Sequence, residues 1–249
     1  MKEQMHYDVI IIGGGITGAG IVRDASMRGL KCLLVDKGDF ASGTSSKSGK
    51  LIHGGLRYLK TLEFGLVFES CRERFYLLNS IAPHIVRPVR FFYPFYKNSH
   101  TPRWLVAIGL FLYDLLSSFR SIKRFKMVST KQLRSEESES RERGCIGALA
   151  FSDCAGSDFR LVIETLMSAE RCGAKLQNYM EVTSINHEND GFVLSLRDTL
   201  MGQEKDLIVT SKTIINAAGI WCDEVLNLAG AKDLLNLSMA SGIHVMVEK

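Results

Sequence analysis

The chain has 249 residues, 46% hydrophobic and 23% charged, ordinary proportions for a globular protein built as one large domain or two small ones. A formal net charge of +4 suits anionic ligands or an anionic surface, and without interleaved basic and aromatic residues it argues against a nucleic-acid partner. The six cysteines (Cys32, Cys71, Cys145, Cys154, Cys172 and Cys222) are scattered with no C-x-x-C pair, so reduced thiols in a cytoplasmic setting are expected, and neither a disulfide framework nor a metal site is.

Residues 1–7 are polar, and the apolar run after them is far too short for a signal peptide. No span approaches the roughly 20 apolar residues of a transmembrane helix. The stretch 7–36, YDVIIIGGGITGAGIVRDASMRGLKCLLVD, organises the rest of the chain. It predicts a strand at 9–12, a helix at 16–28 closed by Gly29, and a second strand at 32–35 ending on Asp36. Gly13, Gly15 and Gly18 fit G-x-G-x-x-G in that context, the unit that binds the ADP half of a dinucleotide. Gly13 permits the tight turn, Gly15 lets a pyrophosphate approach the backbone, and Gly18 lets the helix pack on the sheet. The helix N-terminus offers unpaired N–H groups to the phosphates. Asp36 can accept hydrogen bonds from ribose hydroxyls, and its charge disfavours a 2′-phosphate. A glycine-rich turn in some other α/β protein is the bland alternative, disfavoured because strand, helix and acid are all in place.

The loop 38–49 carries Thr44, Ser45, Ser46 and Ser48, and reads as a linker or, given its place after the second strand, as a source of hydroxyl donors to the cofactor. Next comes KLIHGGLRYL at 50–59. Its Gly-Gly pair allows close approach of backbone to a ligand, and His53, Arg57 and Tyr58 flank it. Residues 63–81 read as a long amphipathic helix ended by Pro83, and 91–95 as an aromatic strand. Residues 104–116 are apolar all round, which fits a core helix or one inserted into a surface. With Arg120, Lys123, Arg124 and Lys126 after it, the second option is peripheral contact with an anionic membrane face, set against a core helix and a solvated loop. Residues 130–143 are highly charged and read as exposed.

Asp158 is placed to cap a helix at 159–171, stopped by Gly173. Strands are expected at 175–178, 182–186, 192–196 and 207–209, with Asn189-Asp190-Gly191 turning a hairpin. A strand at 213–216 leads into Ala217-Ala218-Gly219-Ile220-Trp221, a small-residue turn whose backbone can lie close to a cofactor. A short helix at 223–229, closed by Gly230, and a strand from 243 to 247 are the last expected elements.

Four stretches, IIGGGITGAGI, GTSSKSGKLIHGGLRYL, FSDC with 158–161, and NAAGIW, resemble FAD-dependent glycerol-3-phosphate dehydrogenases of the membrane-associated, quinone-reducing kind. The wider group shares its fold with D-amino-acid oxidase and sarcosine oxidase. The resemblance implies an α/β protein with a Rossmann-like FAD-binding domain and a partial, mostly antiparallel substrate domain. FAD-binding parts are expected at 1–86 and 146–230, an insertion at 87–145, and the start of a truncated substrate domain at 231–249. It implies FAD contacts at Gly13, Gly14, Gly15, Ile16, Thr17, Gly18, Asp36 and Lys37, and at Thr44, Ser45 and Ser46. Further contacts are implied at Lys50, Leu51, Gly54, Gly55, Val182, Ala218, Gly219 and Trp221. Arg57 and Tyr58 match positions lining a glycerol-phosphate pocket, and His53 is the candidate base or a residue that positions the flavin. The expected reaction is oxidation of sn-glycerol 3-phosphate, with quinone as electron acceptor and a cytoplasmic protein peripheral on the cytoplasmic membrane face. The family enzyme is longer, so the chain is expected to stop inside the substrate-domain sheet. Ala155-Gly156-Ser157 after FSDC departs from the bulkier residues of the family. A dioxygen-using flavin oxidase, a non-catalytic FAD-binding remnant and an NAD-linked dehydrogenase stay open as alternatives.

Overall fold

The computed structural model describes residues 5–97, 101–117, 122–137, 144–188, 190–201 and 206–231, together with 237, 238, 240, 242 and 243. From the N-terminus run β1 (Met5–Ile12), α1 (Ile16–Met27), β2 (Cys32–Val35), β3 (Leu51–Ile52), α2 (Phe64–Tyr76), β4 (Val86–Tyr96) and α3 (Arg103–Leu116). After them come β5 (Lys126–Val128), α4 (Thr130–Glu136), β6 (Cys145–Gly156), α5 (Asp158–Arg171), β7 (Lys175–Gln177), β8 (Met180–Glu188), β9 (Gly191–Asp198), β10 (Leu207–Asn216) and α6 (Cys222–Leu228). They form two units, one of Met1–Gly49 with Asp158–Lys249, the other of Lys50–Ser157.

The first unit is built on a six-stranded sheet in the order β7-β2-β1-β10-β9-β8. β1 runs parallel to both β2 and β10, which leaves the run VIII at its end buried on two faces. A parallel strand covered on both sides needs apolar residues at every position rather than at alternate ones. Ile10, Ile11, Leu34 and Val35 are wholly buried, each contributing about 2 kcal/mol of hydrophobic stabilisation. One face carries α1 and α5, through Val22, Val162 and Leu166. On the other, Ile10, Ile12 and Leu33 pack with Ile185, Leu194 and Val209 of the antiparallel strands. The far strand β8 returns to the end of β2, where the Met180 N–H donates to the Asp36 carbonyl at 2.7 Å.

Two expected strands, 207–209 and 213–216, are one strand, β10. The polar residues between them stay in the ladder because β10 is flanked on both sides: Ser211 pairs with Tyr7 of β1 and with Phe192 of β9. The Ser211 hydroxyl is buried and donates to the Thr213 carbonyl at 2.7 Å, which satisfies it.

In the second unit β6 pairs antiparallel with β4 along almost its whole length, and β3 and β5 pair along its other edge. This unit runs from Lys50 to Ser157, beyond the expected insertion, 87–145, because β6 pairs with β3 as well as with β4 and β5. β4 extends beyond the aromatic run 91–95 and takes in Pro88 and Pro94. Both are tolerated on an edge strand, where a missing N–H on the outer side removes no ladder bond. α2 continues through a π-helical turn, Leu77–Ile81, and so fills the long helix read at 63–81. α3 carries apolar residues on both faces: Leu110 and Tyr113 are buried with Asp114, while Trp104, Leu105, Ile108, Phe111 and Leu115 are exposed. α4 buries only Leu133, in keeping with the charged surface read there. Arg120, Asn189 and residues 138–143 lie outside the described residues, as does nearly all of the strand read at 243–247. No helix among the described residues is long and apolar enough to cross a membrane.

Candidate functional site

At the C-terminal ends of β1, β2 and β10 the first unit opens a cleft of about 540 Å³. Its floor is the turn from β1 into α1. Gly13 has φ +114°, and a Cβ there would lie 2.4 Å from the Ala217 carbonyl oxygen. A Cβ on Gly18 would lie 1.9 Å from the Gly13 carbonyl oxygen, so the first turn of α1 packs directly on the loop before it. Gly15 brings no side chain to cap the helix, and Gly15, Ile16 and Thr17 all line the cleft. The Ser45 hydroxyl accepts the Ile16 N–H at 3.0 Å, so the 38–49 loop is tied to the helix N-terminus rather than a free linker.

Asp36 lines the same cleft. Its Oδ2 accepts the Gly14 N–H at 2.7 Å and its Oδ1 accepts the Gly38 N–H at 2.9 Å, which fix the carboxylate while leaving lone pairs for hydroxyl donors. Lys37, Thr44, Ser45, Val182, Ala218, Gly219 and Trp221 complete the set of sequence-named residues found there. The Lys37 amine lies 4.8 Å from the Trp221 ring centre and 3.0 Å from Glu224 Oε2. Gly14, Gly18 and Ser46 do not line the cleft; they shape it from behind, Gly14 through Asp36 and Ser46 through a hydroxyl donating to the Gly43 carbonyl at 3.2 Å. Glu181, Ser42 and Glu224 also line it and were not anticipated. Glu181 is recoverable in hindsight as the neighbour of Val182 on β8.

Lys50, Leu51, His53, Gly54, Gly55, Arg57 and Tyr58 belong to the second unit. His53 and Arg57 are exposed, whereas Tyr58 packs partly into a cluster with Val67, Cys71 and Tyr113. The Gly55 N–H donates to His53 Nδ1 at 3.1 Å. Below that turn lies a polar group that sequence reasoning missed. The Tyr113 hydroxyl donates to Asp153 Oδ1 at 2.8 Å and accepts from both the Gly54 N–H and Arg74 Nη1, each at 2.8 Å. Asp153 Oδ1 also accepts from Arg74 Nη1 and, at 3.2 Å, from the Gly54 N–H. Arg74 is 1% exposed, and its Nη2 finds no hydrogen-bond partner among the described residues.

Burial, and then the Asp153 charge, push the Tyr113 hydroxyl far above its usual range, so it stays protonated and able to donate. Burial works against the Arg74 charge, but Tyr113 and Asp153 beside it hold the guanidinium above its ordinary value. Burial pushes the Cys154 thiol up to about 11 and raises Cys71 as well. Both are therefore inert thiols rather than nucleophiles near neutral pH. No group of three or more His, Cys, Asp and Glu among the described residues could hold a metal ion.

The family described as FAD dependent oxidoreductase matches residues 8–249. The chain belongs to this family. An aerobic glycerol-3-phosphate dehydrogenase of Staphylococcus saprophyticus is 36% identical over the whole chain, which spans 44% of that protein. A D-erythritol 1-phosphate dehydrogenase of Brucella abortus is 40% identical, again over the whole chain, which spans 49% of it. The chain thus spans about half or less of the curated relatives it matches. A solved glycerol-3-phosphate dehydrogenase from Bacillus halodurans, complexed with FAD, superposes with a TM-score of 0.67 over 91% of this chain and 36% of that one, at 29% identity.

The residues of the cleft fit FAD, the cofactor that the family's description names. Gly13 and Gly18 leave no room for a Cβ, Gly15 brings no side chain of its own to the start of α1, where Ser45 takes the Ile16 N–H, and Asp36 is held at the end of β2. Bare backbone of this kind has the room and the N–H donors that a diphosphate needs, and a fixed carboxylate has the acceptors that a ribose needs.

Proposed function

We propose that the chain forms the N-terminal, FAD-binding part of an enzyme that oxidises sn-glycerol 3-phosphate to dihydroxyacetone phosphate and passes the electrons to quinone. The observation that carries this reading is the glycine cleft of the first unit, in a chain 36% identical along its whole length to a glycerol-3-phosphate dehydrogenase. Bound FAD would supply the two-electron acceptor for the hydrogen on C2 of the substrate. Gly13, Gly15 and the first turn of α1 hold the diphosphate, Asp36 the ribose, and Thr44, Ser45, Val182, Ala218, Gly219 and Trp221 the walls. In this reading Lys50, Leu51, Gly54 and Gly55 serve the flavin ring, and Arg57 offers a permanently charged fork to the substrate phosphate. Tyr58, the next residue of the same turn, Leu56–Thr61, is its companion in that pocket.

His53 is the candidate for handling the C2 hydroxyl proton. Because Nδ1 accepts the Gly55 N–H, the neutral ring carries its own proton on Nε2. In this arrangement the ring donates from Nε2, and service as a base at that atom requires the Nδ1 bond to open and the tautomer to change.

Peripheral membrane contact belongs to the same proposal. The exposed apolar face of α3, with Lys123, Arg124 and Lys126 following it in the same unit, has the composition of an interfacial helix on an anionic surface. A second reading is favoured by the Brucella abortus relative: the substrate is a longer polyol phosphate of the D-erythritol 1-phosphate type.

One experiment separates these readings. The purified chain, supplied with FAD, is titrated anaerobically with glycerol 3-phosphate and with D-erythritol 1-phosphate while the flavin absorption is followed. Bleaching by the first supports the proposal, and bleaching by the second alone moves the substrate to the longer polyol. Bound flavin bleached by neither identifies a non-catalytic FAD-binding piece. Reoxidation faster by dioxygen than by a quinone makes it an oxidase.

A further inference from the structure

We propose that Arg74, Tyr113 and Asp153 are positioning residues that set the His53-Gly54-Gly55 turn and, through it, the orientation of the His53 ring. This inference rests on the reading above that the turn serves the flavin site. The three side chains come from α2, α3 and β6: Tyr113 and Asp153 both accept the Gly54 N–H, and Arg74 donates to both of those acceptors. The Tyr113 hydroxyl is saturated: it donates one hydrogen bond to Asp153 and accepts one from Gly54 and one from Arg74. Such a hydroxyl has a single allowed orientation, so the position of the Gly54 amide is fixed by three elements at once.

Stability alone is a poor reason for this arrangement. A buried ion pair contributes less than apolar residues of the same volume, and it is costly to assemble with Arg74 Nη2 left unpartnered among the described residues. The arrangement gives geometry instead. Gly54 cannot carry a side chain, since a Cβ would lie 2.3 Å from Tyr113 Oη and 2.4 Å from Cys71 Sγ. The backbone itself therefore fills the space above the network. The carbonyl of Gly54 takes a long contact from the Cys71 thiol at 3.8 Å, so both polar groups of this residue are engaged. Gly55 follows in the left-handed region, φ +76°, and its N–H reaches back to His53 Nδ1. The chain of contacts runs unbroken from the buried guanidinium to the imidazole: Arg74 to Tyr113 and Asp153, these to Gly54, and the turn to His53. What the turn presents is an exposed imidazole whose Nδ1 is already occupied, so that the neutral ring carries its proton on Nε2.

Tyr113→Phe tests this in the whole chain, because it removes one hydroxyl and keeps the ring packed against Val67 and Cys71. Arg74→Lys is the companion variant, since an ammonium keeps the charge but loses the fork. The expected result in both is exchange of the Gly54 amide accelerated about tenfold or more while protection of β1 and β10 is unchanged. FAD uptake persists, and the visible circular dichroism of the bound flavin shifts. Where glycerol 3-phosphate bleaches the parent, kcat falls about tenfold or more with KM little changed, the signature of misplacement rather than lost binding. Gly54 exchange at the parent rate overturns the proposal. So does faster exchange with parental flavin dichroism and kcat, which leaves the network with a role in the fold only. Joint loss of folding and FAD uptake in both variants has the same meaning. If the parent flavin is never bleached by glycerol 3-phosphate, it is the substrate reading that fails. Amide exchange and flavin dichroism then still decide the triad.

Discussion

Gly13 and Gly54 both exclude a side chain, but for opposite physical reasons. At Gly13 the obstacle is backbone: a Cβ would lie 2.4 Å from the Ala217 carbonyl oxygen, and φ is positive in addition. At Gly54 the obstacle is side chain, Tyr113 and Cys71, and the backbone there is what the charged network holds. In the proposed reading the first unit uses bare backbone to meet an anion. The second uses buried charge to hold bare backbone. A backbone cradle fails when atoms are added to it, whereas a charged network fails when a partner is taken away.

The largest effect should come from unbalancing the network. Asp153→Ala leaves the Arg74 guanidinium buried without its carboxylate and should cost about 3–5 kcal/mol in thermal or denaturant unfolding. Replacing both partners, Arg74→Met with Asp153→Leu, should recover most of that loss while the Gly54 amide stays loosely held. Recovery of stability together with a protected Gly54 amide would show that the network does not position the turn. The first unit makes the converse prediction. Gly13→Ala forces a β-carbon against Ala217 in a left-handed conformation and should cost roughly 2–4 kcal/mol, with FAD uptake abolished. A variant that stays yellow on purification would mean that the turn relaxes and that the cradle is less exacting than its geometry.

The two regions also differ in how far they can be read from sequence. The cradle is local: the glycines, the first turn of α1 and Asp36 fall within one stretch, and each residue type has one evident use. Its packing partner Ala217 is visible too, as part of a small-residue turn after a strand. The network is distant. Arg74 lies 39 positions from Tyr113 and 79 from Asp153, and each is disguised by its neighbours. Arg74 sits in ESCRER, which looks like the solvated face of a helix. Tyr113 sits in an apolar helix, where its ring suggests core packing. Asp153 lies in β6, a strand of alanine, glycine and cysteine with little β-branched content, so the strand itself was not anticipated. The same limit split β10 in two: three polar residues look like a break until the strands on both sides of them are known.

The smallest expected effect sharpens the comparison from the side of the cradle. Lys37 bridges Glu224 at 3.0 Å and the Trp221 ring at 4.8 Å, and all three line the cleft. By position this looks like a clamp on the cofactor. Yet the Lys37 and Glu224 side chains are 44% and 64% exposed, and an exposed ion pair contributes only about 0.2–1 kcal/mol, screened further by salt. Lys37→Met keeps the stem over the indole and removes the charge. If bare backbone and Asp36 hold the dinucleotide, this change should shift unfolding by less than about 1 kcal/mol and FAD affinity by only a few-fold, with the difference fading as ionic strength rises. A fall in affinity of about 100-fold that persists at high salt would place the ammonium directly on the cofactor, and the first unit would then depend on buried charge much as the second does.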